Sequence, residues 1–115
     1  MSEFNISERH ENNICILELH GMLDAHTTNS LEDAFKRNIS KGYIKIIVNL
    51  KNLEYITSAG LGVFMEFIEE IRENKGDILF CCYSQKIYKI FDLLGFPVIF
   101  QFFDEENDAT KFFQE

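Results

Sequence analysis

IKIIVNLKNLEYITSAGLGVFMEFIEEIREN, residues 44–74, decides the fold. Ile44 to Leu50 is rich in β-branched residues and apolar on both faces at its centre. Such a run fits a central strand covered on both sides. Ser58 to Asn74 reads as the best helix in the chain, with Leu61, Val63, Phe64, Met65, Phe67, Ile68 and Ile71 as its apolar set. At 100° per residue these cover roughly a 200° arc. Phe64, at the centre, is expected to face the sheet. One sheet face needs less than this arc, so Val63 and Phe67, on its edge, are expected to meet a neighbouring helix or a partner. Lys51 to Thr57 reads as a polar link containing Leu53, Tyr55 and Ile56.

The same alternation continues downstream. Lys75-Gly76-Asp77 turns the chain into a strand from Ile78 to Tyr83. Ser84 caps a helix with Ile87, Ile90, Phe91 and Leu94 at helical spacing, and Gly95 and Pro97 are its stop signals. Val98 to Phe103 reads as a last strand, followed by an acidic turn and a short helix bearing Ala109, Phe112 and Phe113. Upstream, Phe4–Arg9 and Ile14–His20 flank a turn at Glu11-Asn12-Asn13, a hairpin pattern. Gly21 breaks that pattern. Asp24 is the candidate N-cap of a helix to about Ser40, with Leu31, Ala34, Phe35 and Ile39 on one face. Strands alternating with helices imply parallel pairing through right-handed crossovers. The expected class is α/β: a mixed sheet of four or five strands, with helices mainly on one face.

At 115 residues the chain suggests one domain over 1–115. Its 46% hydrophobic content supplies a core without disulfides or metals. The balance of 11 basic against 19 acidic residues gives a net charge of −8. An acidic surface repels phosphate backbones and anionic lipid, so no direct nucleic-acid or membrane partner is expected. The stretch Met1 to Arg9 is polar and unlike a signal peptide, and no apolar run approaches the ~20 residues of a membrane helix. A cytoplasmic location follows. Cys15, Cys81 and Cys82 form no C-x-x-C and read as reduced thiols, with Cys81 and Cys82 on opposite strand faces. His10, His20 and His26 show no zinc-ligand spacing with them, so no metal site is expected.

Candidate chemistry gathers at Tyr55-Ile56-Thr57-Ser58-Ala59-Gly60-Leu61-Gly62-Val63. Ser58 reads as the N-cap of the long helix, where free backbone N–H groups and the helix dipole tolerate negative charge. Gly60 and Gly62 remove side-chain bulk, so another protein could approach the serine closely. The bland alternative is a plain cap beside tightly packed glycines. Enzyme motifs do not fit. A G-x-S-x-G elbow needs glycine where Ile56 stands. A P-loop needs Lys-Ser/Thr where Val63 stands, and a dinucleotide fingerprint needs a third glycine near Met65. His26 alone is a poor base. Asp24, if not merely a cap, is a surface carboxylate beside Ser58, provided that the first and third strand ends lie on the same edge of the sheet.

Asn49 to Gly62 resembles the signature of STAS domains, specifically the stand-alone anti-sigma factor antagonists. Gly21-Met22-Leu23-Asp24 resembles their earlier G-x-L-D segment, and Phe91-Asp92-Leu93-Leu94-Gly95 their later phenylalanine-to-glycine helix end. The similarity spans residues 4–113. It implies a STAS fold and a switch protein with no catalytic role and no cofactor. Such a protein, unphosphorylated at Ser58, binds an anti-sigma factor with serine kinase activity and frees a sigma factor. That kinase phosphorylates Ser58, and a PP2C-type phosphatase reverses it. Asp24, Thr57, Ser58, Ala59, Gly60, Gly62, Val63 and Phe67 are the expected docking residues. Many members carry Asp where this chain has Thr57, and Ser or Thr where it has Ala59. Thr57 thereby becomes a second possible acceptor. Two other classes remain: a non-phosphorylated STAS scaffold or accessory subunit of a stress-sensing or lipid-transport complex, and a small hydrolase or nucleotide-binding protein.

Overall fold

The computed structural model describes residues 3–115; Met1 and Ser2, which begin the polar N-terminal stretch, lie outside the described residues. The elements run β1 (Asn5–Glu11), β2 (Ile14–Leu23), α1 (Thr28–Ser40), β3 (Lys45–Ile56), α2 (Ser58–Glu73), β4 (Asp77–Cys81), α3 (Gln85–Leu93), α4 (Phe96–Ile99), β5 (Gln101–Phe103) and α5 (Glu106–Gln114). They build one five-stranded sheet in the order β1-β2-β3-β4-β5. β1 pairs antiparallel with β2, and every other pair is parallel. This is the mixed α/β sheet expected from the sequence.

The strand order explains why the crossover helices share a face. Each parallel strand is added on the same side of the last, and right-handed crossovers then place their helices on one face. Cys15, Leu17, Leu19, Ile46, Val48, Leu50, Ile78 and Phe80 meet Phe35, Phe64, Ile68 and Phe91 in the main core. The intervening strand residues Ile14, Ile16, Ile47, Leu79 and Cys81 point the other way and pack on Ala109 of α5. The doubly apolar run in β3 is thus explained: α5 covers the second face.

Several boundaries differ from the sequence reading. Lys51 to Ile56 is not a polar link but the second half of β3. It is drawn into the sheet because β2 continues to Leu23, pairing Gly21 with Leu53, Met22 with Tyr55 and Leu23 with Ile56. Gly21 therefore bends β2 without ending it, at a register shift and φ +91°. A Cβ there would lie 2.6 Å from the Glu3 carbonyl oxygen, so only glycine allows that approach. Val98–Phe103 is mostly not strand. Gly95, at φ +77°, ends α3 as expected, but Pro97 then opens α4, leaving only Gln101–Phe103 to pair.

Asp24 is not the cap of α1; the capping position is Thr27. Asp24 Oδ1 instead accepts from the His26 N–H at 2.9 Å, and the Asp24 N–H donates to Thr27 Oγ1 at 2.9 Å. Such local bonding by Asp favours a turn before the helix. Cys82, at φ +62°, breaks the strand alternation, and both adjacent cysteines pack on the α5 side of the sheet. Burial raises the Cys81 thiol, with Cys82 adding to the effect, and pushes that of Cys15 up to about 12. Among the described residues no helix is long and apolar enough to cross a membrane.

Candidate functional site

Leu23 and Ile56 are register partners at the ends of parallel strands, so Asp24 and Thr57 leave the same sheet edge side by side. The Thr57 N–H donates to the Leu23 carbonyl at 3.0 Å and ties the start of α2 to the end of β2. Thr57, not Ser58, is the N-cap: its Oγ1 accepts from the Gly60 N–H at 3.4 Å. Ser58 is the first residue of α2 and is exposed. Its hydroxyl thus stands among the free N–H groups and positive dipole end of a 16-residue helix. Asp and Thr both accept at an N-cap, and Thr does so without charge.

The two glycines have different tasks. Gly60 is buried, and a Cβ on it would lie 2.8 Å from Leu23 Cγ and 2.9 Å from the Leu23 carbonyl oxygen. It lets the first turn of α2 press against the end of β2. Gly62 is exposed with open space around it. Ser58, Ala59, Gly62, Met65, Glu66 and Glu69 form the exposed side of α2.

The expected partner-facing edge at Val63 and Phe67 is internal. Val63 is 3% and Phe67 5% exposed, and the Phe67 ring stacks on Phe35 of α1 at 5.1 Å. The wide apolar arc is used against α1. Met65 leaves that arc and is 43% exposed. Met22, Tyr55 and Lys86 escaped the sequence reading as well. Met22 and Tyr55 are exposed register partners, and Lys86 Nζ lies 5.7 Å from the Tyr55 ring centroid. Met22 and Tyr55 lie within the G-x-L-D and pre-serine segments, where the sequence reading gave neither a surface role. The edge around Ser58 therefore combines a small polar centre with Met and Tyr surface.

A family model for the STAS domain matches residues 5–109, and the chain belongs to this family. It is 28% identical over 105 residues to the anti-sigma F factor antagonist of Paenibacillus polymyxa, covering 90% of each chain. The solved structure of the anti-sigma factor antagonist SpoIIAA in its unphosphorylated form superposes with TM-score 0.82 at 19% identity, over 97% of this chain and 96% of that one. The Bacillus cell fate determinant SpoIIAA in its phosphorylated form superposes with TM-score 0.72 at 21% identity, over 95% and 97%. These two structures share the fold.

Proposed function

We propose that this protein is an anti-sigma factor antagonist that works as a phosphorylation-controlled docking switch. With Ser58 unmodified, the edge formed by Asp24, Thr57, Ser58, Ala59 and Gly62 binds an anti-sigma factor with serine kinase activity, and a sigma factor is released. Met22, Tyr55 and Met65 extend that surface; Gly60 shapes it from beneath. The partner kinase transfers phosphate to Ser58, and a PP2C-type phosphatase removes it. The antagonist contributes no catalytic group.

The observation that carries this reading is the exposed Ser58 at the first position of α2, relieved of capping duty by Thr57. The half-buried Thr57 hydroxyl is engaged with the Gly60 N–H, which favours Ser58 as the acceptor. A phosphate there adds about −1.5 to −2 charges at pH 7. The helix N-terminus tolerates that charge, so the fold survives, while a surface fitted to a hydroxyl meets bulk and a desolvation cost. Incubation with the cognate kinase and ATP, followed by peptide mass spectrometry, should find one phosphate, on Ser58. Phosphate on Thr57 would move the switch by one residue; none on either would end this reading.

One observation favours a scaffold as the second reading. Leu93 and Val98, at 84% and 91% exposed, form an apolar surface at the far end of α3 and in α4. A scaffold predicts stable co-purifying partners and no exchangeable phosphate.

A further inference from the structure

Glu8 and His10 lie on one face of β1, and His10 stands directly opposite Cys15 of β2 across the hairpin. One ligand atom from each of the three lies within 4.8 Å of the other two. His10 Nε2 is 3.2 Å from Glu8 Oε2 and 2.8 Å from Asn38 Oδ1. The surrounding contacts fix these groups. Arg37 holds the second oxygen of Glu8. The buried Asn38 donates from Nδ2 to the Ala34 carbonyl at 2.8 Å, which aims its Oδ1 at the histidine. The His10 ring rests against Tyr43 at 4.4 Å.

We propose that Glu8, His10 and Cys15 form a binding site for one zinc-class divalent cation, with Asn38 Oδ1 completing its surroundings. Thiolate, imidazole and carboxylate are the three donor types of tetrahedral zinc sites, with bonds of about 2.0–2.3 Å. A sulfur and a nitrogen select a borderline-soft cation, and too few oxygens converge for calcium or magnesium. Glu8 Oε2 and Asn38 Oδ1 both face His10 Nε2, so the cation would take over the contacts this nitrogen now makes. Binding uses the Nε2 lone pair, leaves the imidazole proton on Nδ1, and releases the Cys15 thiol proton to solvent. The cation's own charge offsets the burial that otherwise keeps that thiol protonated. Arg37, bonded to Glu8, is an outer contact that orients that ligand, as in established metal sites.

The linear spacing of His and Cys gave no hint of this site, because the closeness comes from the hairpin register. The cation would staple β1 to β2 and both to α1. β3 begins beside this group, where Ile46 pairs with Cys15, and ends at Ile56, two residues before Ser58, so about ten residues at ~3.3 Å each separate the two places.

Cobalt(II), a spectroscopic stand-in for zinc, can be titrated into the whole reduced protein. One equivalent should produce a thiolate-to-cobalt charge-transfer band and the intense visible bands of tetrahedral cobalt, both abolished by one equivalent of zinc. Cys15→Ser should lose the charge-transfer band. His10→Ala, with circular dichroism checked to match the wild type, should weaken binding about tenfold or more. Cys81→Ser/Cys82→Ser should bind as the wild type does. The proposal is overturned by absence of binding at micromolar cobalt, by a band that survives Cys15→Ser or disappears in the Cys81→Ser/Cys82→Ser protein, or by His10→Ala binding unchanged.

Discussion

Thr57 and Ser58 are neighbours with separate duties. The Thr57 hydroxyl closes the first turn of α2, while the Ser58 hydroxyl points to the surface side of that turn. Thr57→Ala should therefore lose about 1 kcal/mol, the usual worth of a cap. Ser58→Ala should change stability by under ~0.5 kcal/mol, as surface substitutions do. Urea melts of the two variants check this; equal losses would return the cap to Ser58. The sequence could not choose between adjacent Ser and Thr, since both are good caps. The choice is made by the Thr57 N–H bond to Leu23, a contact across the sheet edge. The glycine pair is separable in the same way. Gly60→Ala forces a Cβ to within 3 Å of the Leu23 backbone and should destabilise by more than ~1 kcal/mol. Gly62→Ala meets open space and should stabilise the helix by roughly 0.5–1 kcal/mol, while reducing docking. Reversed signs in melts would mean α2 is rotated.

Among the elements, α2 carries the core. Phe64 is fully buried, with its ring 4.9 Å from that of Phe80 and edge-on to Phe35 at 6.0 Å. Phe64→Ala should cost roughly 3–5 kcal/mol in denaturant melts, and a loss under ~1 kcal/mol would contradict this packing. Strand–helix alternation was legible because Ile44–Leu50 and the α2 arc have such strong periodicity. The second half of β3 was not: Lys51, Asn52 and Glu54 look like loop residues, and only the extension of β2 beside them makes a strand. The end of the apolar arc was ambiguous for a similar reason, since helix α1 and a partner protein present the same demand for apolar surface.

α5 is held to the opposite face by charge as well as by Ala109. Glu106 accepts from Arg9 Nη2 at 2.6 and 2.7 Å and from Asn49 Nδ2 at 2.9 Å. Burial alone would raise its carboxyl, but the bonds from Arg9 and Asn49 outweigh that and hold it below the ordinary range. A depressed folded value means that the unfolded chain binds the proton first as pH falls. The stabilisation is thus present above the usual carboxylate value of ~4.3 and is lost as pH drops through the lower folded value. Stability measured against pH should fall less steeply in that window for Glu106→Gln than for the wild type. Superimposable slopes would remove the α5 anchor from the account.

At the scale of the whole molecule, the fold brings three chain segments to one sheet edge: the end of β2, the end of β3 and the start of α2. The serine was legible because one continuous motif carries it. Met22, Tyr55 and Lys86 were not, because only the pairing of β2 with β3 and the packing of α3 bring them to that edge. A protein already at −8 that gains a phosphate becomes about −10, with the new charge concentrated at the docking centre. Control by blocked docking needs no refolding, so the modified and unmodified chains should share one fold. The most direct measurement is the affinity of the wild type, Ser58→Ala and Ser58→Asp for the cognate anti-sigma factor, by calorimetry at one salt concentration. Ser58→Ala should bind as the wild type does, and Ser58→Asp, folded by circular dichroism, should bind about tenfold or more weakly. A folded Ser58→Asp that binds as tightly as the wild type would contradict the switch at Ser58.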